Sequence, residues 1–594
     1  MIDRTTKLRW RRNFRRKQRQ LEGISSQTEE RLDRHFFRRL GRLYEVRRFI
    51  VAWLLLLVLL IGLTVVQTRA LARYYQTVKP LPGGIYSEGI VGSFTNANPI
   101  FATGEVDSAV SRLVFSALMA YNQQNQLVGD IAKSLTVDPT GKIYTASLAQ
   151  GIVWQDGKPL TAEDVVFTYK TIQNPDAKSP FFSAWQGIQV AAPDTHTVTF
   201  TLPNILASFP SSLTGGILPK HVLASVDVGS LRSAQFNTTE PMGSGPFAWH
   251  GVEVFGNDVE HREQRISLSP NSQYFKGKPK LGEFVIRTFL NEGHMLSSFN
   301  NGELTAMAGV QDLPEEQKKD LSISQNNIPI TGEVMVFMNN NDPILKDVQV
   351  RRALASATDQ QAILNSLSYP SIAAKSPLLR TMVGYDPGIV QRPFDIGAAN
   401  TTLDASGWAS GPGGIRVKNG QKLQITLNTL ANIEYANVAS QLQKSWRQIG
   451  VEVTVSSLNQ TDLQTAVDNR SYGMLLYGIS LGLDPDQFAY WHSSQADVRA
   501  PRRLNFSNYN SKTADAALEA GRTRIDPSLR AAKYKPFLEA WRDDTPAVAL
   551  YQPRFLYVTR GPVFNFAERI MNTPADRFSN VENWMIRTER KTNN

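Results

Sequence analysis

The sequence predicts an α/β protein built on a parallel sheet and carried behind a single membrane-spanning helix. Three observations predict it. Residues 423–480 alternate between strand and helix periodicity in the order strand, helix, strand, helix, strand. Phe49 to Thr68 is a run of twenty uncharged, mostly apolar residues. The positive charge is concentrated on one side of that run.

The apolar run comes first. Twenty helical residues span about 30 Å, the thickness of a bilayer's hydrocarbon core. Residues 1–48 hold 16 Lys+Arg and 6 Asp+Glu, a net of +10, whereas the whole chain holds 64 and 53, a net of +11. Residues 49–594 therefore carry a net of only +1. The positive-inside rule places residues 1–48 in the cytoplasm and the large C-terminal part outside the cell membrane. The basic pI belongs to the tail, so no nucleic-acid partner is expected for the body. A cleaved signal peptide is the competing reading, since Ala70-Leu71-Ala72 has the form of a cleavage site. A 48-residue leader and a twenty-residue apolar run are both too long for it.

The tail has two parts. Residues 4–19 are a basic run with Trp10 and Phe14 interleaved, suited to anionic lipid at about 1 kcal/mol per basic residue. Ser26 and Glu29 then have capping-box spacing. Leu32, Phe36, Leu40 and Leu43 follow at helical spacing, which predicts an amphipathic helix leading into the span. Beyond the span, residues 69–84 are expected as a linker ending in the breaker cluster Lys79-Pro-Leu-Pro-Gly-Gly84.

Within the body, Tyr144–Leu148 and His196–Leu202 alternate as strands do. Between them Thr161 and Asp164 cap a helix, with Leu160 and Val165 in the hydrophobic-staple positions. That helix should stop before Asn174-Pro175. A second helix starts after Asp347, with Val350, Leu354 and Ala357 on one face. Arg351 and Arg352 are expected on its solvated face.

The 423–480 segment is the most legible. Leu423, Ile425 and Leu427 mark a strand. Tyr435 to Ile449 is a helix with Val438, Leu442 and Trp446 inward, ended by Gly450. Val451, Val453 and Val455 mark the next strand, a short helix spans 462–469, and Tyr472–Tyr477 is the third strand. In open parallel sheets, ligands gather beyond the carboxyl ends of the strands. Two loops meet that description, Asn428–Glu434 and Gly478–Asp486.

Several chemistries are absent. The chain has no cysteine, which excludes disulfides, thiolate metal sites and a lipid-modified cysteine anchor. No phosphate loop, dinucleotide fingerprint or nucleophile elbow occurs. The seven histidines form no H-x-x-x-H pair. No catalytic residue, metal site or cofactor is expected.

Five ordered segments then carry a resemblance. They are Gly129-Asp-Ile-Ala-Lys-Ser134, Gly151 to Val166 (GIVWQDGKPLTAEDVV), Met242-Gly-Ser-Gly-Pro-Phe247, Asp347 to Ala357 (DVQVRRALASA), and Asp484-Pro485. Together they resemble the extracellular solute-binding proteins of family 5, the oligopeptide- and dipeptide-binding receptors of ABC importers, over roughly residues 82–590. The resemblance implies a two-lobed, class II periplasmic-binding-protein-like fold with an extra subdomain in the first lobe. It implies lobe I over 85–333, lobe II over 334–544 and a return to lobe I over 545–594. It further implies a peptide or other small solute as ligand, ABC permease subunits as partners, and no enzymatic step.

The ligand-binding candidates are Tyr477, Ser480, Leu481 and Asp484 in the second lobe and Asn98 in the first. Leu481 stands where the peptide receptors carry the aspartate that meets the peptide amine. No arginine occurs in Asn428–Asn437 to meet a peptide carboxylate. A terminus-reading dipeptide site is therefore not expected, and a non-peptide solute stays open. So does a sensor that signals through the basic tail.

Overall fold

The computed structural model describes residues 47–74, 76–256, 262–497, 499 and 503–592, with four isolated positions (12, 13, 15 and 17) in the tail. The amphipathic helix expected over Ser26–Leu43 lies outside the described residues. The chain divides into two compact units, residues 1–79 with 588–594, and residues 80–587.

The smaller unit contains helix α1 (Arg47–Tyr74). Its 23 residues from Arg48 to Ala70 are long and apolar enough to cross a membrane, and none of that stretch is buried in protein. The expected linker holds helix through Tyr74 and a strand, Gln76–Leu81, that pairs with Arg587–Thr592.

The larger unit contains two principal sheets. The first lobe is built on seven strands in the order Ile323–Pro329, Arg554–Arg560, Ala306–Ala308, Ile85–Val91, Glu283–Phe289, Glu263–Pro270 and Phe247–Phe255. A four-stranded antiparallel sheet (Ala132–Val137, Ile143–Leu148, Thr197–Thr201, Gln189–Asp194) forms the extra subdomain. Helix α2 (Ala162–Gln173) packs there. Thr161 and Asp164 form the capping box, the Thr161 N–H donating to the Asp164 carboxylate at 2.9 Å. The helix ends before Asn174, as Pro175 requires. Tyr169 of α2 stacks on Trp185 at 3.9 Å.

The second lobe begins with β1 (Gly332–Met338), followed by α3 (Val348–Ser356). The βαβαβ segment follows as β2 (Gln424–Leu430), α4 (Ile433–Arg447), β3 (Glu452–Leu458), α5 (Gln460–Asn469) and β4 (Met474–Ser480). Helix α6 (Pro527–Asp544) and β5 (Ala547–Gln552) complete the lobe. The sheet order is Ile372–Ala373, β5, β1, β4, β2, β3. Strands β2, β3 and β4 are mutually parallel where they pair. Val438, Leu442 and Trp446 of α4 join the core on one face of the sheet. Leu463 and Val467 of α5 join the core on the other. Strand β4 runs three residues beyond the expected Tyr477, so Gly478, Ile479 and Ser480 are strand rather than loop.

One expectation is overturned. Arg351 does not lie on a solvated face; it is 6% exposed. Its guanidinium donates to the carbonyls of Leu345 (2.7 Å) and Asp544 (2.7 Å) and its Nε to that of Thr545 (3.2 Å). The carbonyls at the end of α6 lack helical partners, and a cation is favoured there by the helix dipole. Burial lowers the Arg351 pKa, but the guanidinium remains the donor those oxygens need. Half-buried Arg352 donates to the Asp543 carbonyl at 2.8 Å.

The chain passes from the first sheet to the second between Pro329 and Gly332 and returns between Gln552 and Arg554. The two passages are bonded to each other. The Ile330 N–H donates to the Pro553 carbonyl at 3.0 Å, and the Gln552 amide donates to the Ile330 carbonyl at 2.8 Å.

Candidate functional site: the loops at the carboxyl ends of the second sheet

Strands β2 and β4 are neighbours, and β3 lies on the far side of β2. The chain leaving β2 crosses one face of the sheet through α4, and the chain entering β4 comes across the other through α5. The carboxyl ends of β2 and β4 thus border a topological switch point, the position at which open sheets bind ligands. The two loops chosen from sequence leave the sheet there, from neighbouring strands. A Cβ on Gly478 would stand 2.8 Å from the Tyr435 hydroxyl oxygen, so a larger residue there would have to displace the end of the Tyr435 side chain from β4.

Tyr477 is half-buried, with its ring edge-on to Phe506 at 5.6 Å. The Ser480 side chain is exposed, while its carbonyl accepts from the Tyr490 hydroxyl at 2.7 Å. Leu481 is buried in the lobe's apolar core, and its N–H donates to the Thr331 carbonyl (2.9 Å) at the passage between lobes. Asp484 takes both amino groups of Arg530 on α6, at 2.6 and 2.8 Å. Burial works against the Arg530 charge, but the Asp484 carboxylate outweighs it and the guanidinium's pKa is raised. Asp484 is thereby a fastening for the loop. Asp486 reaches across to the first lobe: its carboxylate accepts from the Ser208 hydroxyl at 3.3 Å and pairs with Arg522 at 3.1 Å. The Ala207 N–H donates to the Arg522 carbonyl at 2.8 Å beside it.

Asn98 is not brought to these residues. It is fully buried in the first lobe, its amide donating to Asn237 at 3.0 Å and its side-chain oxygen accepting from the Ile100 N–H at 3.1 Å.

Around the other loop, a cavity of 410 Å³ is lined by Gln311 and Asp312 of the first lobe and by Tyr369, Asn432, Glu434 and Tyr435 of the second. The Glu434 carboxylate accepts from the Tyr551 (2.7 Å) and Tyr369 (3.1 Å) hydroxyls. Arg554, on the first lobe's returning strand, lies over the Tyr369 ring at 3.9 Å. Among the described residues no group of three or more His, Asp or Glu is arranged to hold a metal ion.

Two residues with the marks of a site escaped the sequence reading. Glu333 on β1 is 1% exposed, and its Oε2 has no hydrogen-bond partner. Burial alone pushes its carboxyl well above the usual carboxylate range. Gln487 is fully buried with neither its amide oxygen nor its nitrogen partnered. The one signal was Glu333 itself, a lone charge in the apolar strand GEVMVFM.

Two lobes joined by paired passages, with a switch point in the second sheet whose loop reaches the first lobe, define a two-lobed solute-binding protein. Residues 126–500 match the bacterial extracellular solute-binding proteins, family 5 Middle, and the chain belongs to that family. It is 26% identical over 490 residues to the oligopeptide-binding protein AppA of Bacillus subtilis, covering 80% of this chain and 87% of that protein. The fold is shared with NikZ from Campylobacter jejuni in complex with Ni(L-His), at a TM-score of 0.71 and 24% identity, covering 84% of this chain and 99% of NikZ. It is also shared with the structure of Bacillus subtilis AppA in complex with a nonapeptide, at a TM-score of 0.67 and 24% identity, covering 86% and 100%.

Proposed function

We propose that this protein is a membrane-tethered receptor of an ABC importer, which captures a peptide or peptide-like solute between its lobes and delivers it to a permease. The observation that carries this reading is the loop beyond β4 at the switch point, with Asp486 bonded across to Ser208 of the first lobe. The similarity to a protein named as oligopeptide-binding supports the solute class. In this reading Tyr477, Ser480 and Leu481 form the second-lobe floor of the cleft, and Asp484 holds the loop rigid. Asn98 shapes the first-lobe wall from within. Helix α1 holds the body at the outer face of the cell membrane, and the basic tail meets anionic lipid in the cytoplasm.

The test is native purification of the full chain in mild detergent, followed by mass spectrometry of the retained solute and of co-purifying subunits. Recovery of peptides with permease subunits supports the proposal. Recovery of a solute without any peptide bond overturns the peptide assignment and leaves the receptor. Protease added to intact protoplasts should cut the body and spare residues 1–48; the reverse pattern overturns the orientation. The charge concentrated on the tail favours one second reading, a sensor that signals through residues 1–48. Deleting that segment would then abolish a transcriptional response while leaving uptake intact.

A further inference from the structure

Glu333 is the second residue of β1 and stands opposite Ile479 of β4, two residues past Thr331, whose carbonyl holds the Leu481 N–H. Side chains alternate along a strand, so Glu333 shares a face with Met335 and Phe337. Tyr477 lies opposite Met335 on that face. Phe337 stacks on Trp491 at 5.8 Å, so the short helix Phe488–Trp491 covers the same face. Gln487 directly precedes that helix. Glu333 lies at the end of the sheet nearest the passage between lobes, and Gln487 heads the short helix that covers the same face, so two buried polar side chains with unpartnered atoms belong to one side of the sheet.

An unpaired buried carboxylate is costly, and it is relieved by a proton or a cation. The arginines that meet the neighbouring loop are already engaged, Arg530 by Asp484 and Arg522 by Asp486. Resting on the reading of this protein as a solute receptor, the geometry points to Glu333 and Gln487 as a subsite for a cationic group of the solute, an ammonium or guanidinium. The carboxylate neutralises that group and the Gln487 side-chain oxygen accepts from it. The acid absent at Leu481 is supplied from β1 instead, and the solute terminus is read after all.

The test uses the full chain in detergent and calorimetry with four probes: trialanine, N-acetyl-trialanine, arginine and butylamine. Expected is that the wild type binds at least one free-amine probe, and that acetylation weakens the peptide about tenfold or more. Glu333→Gln should bind the two peptides alike, and Gln487→Leu should lose part of the same discrimination. Peptide binding that Glu333→Gln leaves equally sensitive to acetylation overturns the subsite while keeping the peptide reading. Arginine or butylamine binding that depends on Glu333, with no peptide bound, keeps the subsite and overturns the peptide reading. No binding of any probe by the wild type overturns the subsite. A melting temperature for ligand-free Glu333→Gln more than about 5 °C below wild type means that the carboxylate is held by the protein itself, and also overturns it.

Discussion

Glu88 in the first lobe and Glu333 in the second are both fully buried carboxylates on interior strands, and their surroundings are opposite. Glu88 accepts from the Arg577 guanidinium (2.5 and 3.2 Å) and from the Tyr557 hydroxyl (2.6 Å), while Tyr86 bonds Tyr557 in turn. Burial and the Glu88 charge push both tyrosines well above their ordinary pKa. Glu333 has none of this. The Glu88 cluster ties the C-terminal return segment to the first strand of the lobe, 489 residues earlier in the chain. A charge that serves architecture comes with its counter-charge. A charge left without one, beside the passage between lobes, is what a ligand could complete.

The largest effect that would break this comparison is at Arg577. Arg577→Met strands the Glu88 carboxylate and should destabilise the protein by about 3–5 kcal/mol in denaturant unfolding. Adding Glu88→Gln should recover much of that loss. A variant within about 1 kcal/mol of wild type would mean that Glu88 is no better partnered than Glu333.

Next comes Arg351→Met, which removes the donor from the carbonyls at the end of α6. A loss of about 2–3 kcal/mol is expected by the same measurement.

Glu333→Gln should act in the opposite sense, and with pH. The Glu333 pKa is raised in the folded state above its ordinary 4.5, so the unfolded chain loses that proton first as pH rises. Stability from the protonated carboxyl is complete below about pH 4.5 and declines above it, toward the folded pKa. The variant should match the wild type near pH 4 and exceed it by about 1 kcal/mol or more at pH 7.5. Equal stability at both pH values would make Glu333 as satisfied as Glu88.

The smallest effect is at Asp486. Asp486→Ala removes one cross-lobe hydrogen bond and a partly exposed pair with Arg522. It should cost about 0.5–1 kcal/mol of lobe closure, read as a more open ligand-free population by fluorescence transfer between labels on the two lobes.

Local features were legible because their causes are local. The Thr161–Asp164 box needs four residues, and the order from β2 to β4 follows from periods of two and 3.6 within 60 residues. Glycine at 478 was visible, but the Tyr435 hydroxyl that comes up against it was not. Partnerships across the chain could not be read. Two of the carbonyls that cage Arg351 come from Asp544 and Thr545, nearly two hundred positions away. The partner that fastens Asp484 is Arg530. Glu333 breaks the apolar run GEVMVFM, a signal the sequence analysis did not use, and its absent partner is a property of the whole lobe. The same limit applied to Asn98, whose side-chain amide is taken by Asn237, 139 residues further on.

The paired passages at Ile330–Thr331 and Pro553 have a mechanical consequence. Two short, adjacent segments bonded to each other resist shear and independent twisting, and leave bending as the soft mode. The angle between the lobes is then close to a single coordinate. One distance measured across the cleft, far from any bound solute, is enough to report where the molecule stands between open and shut.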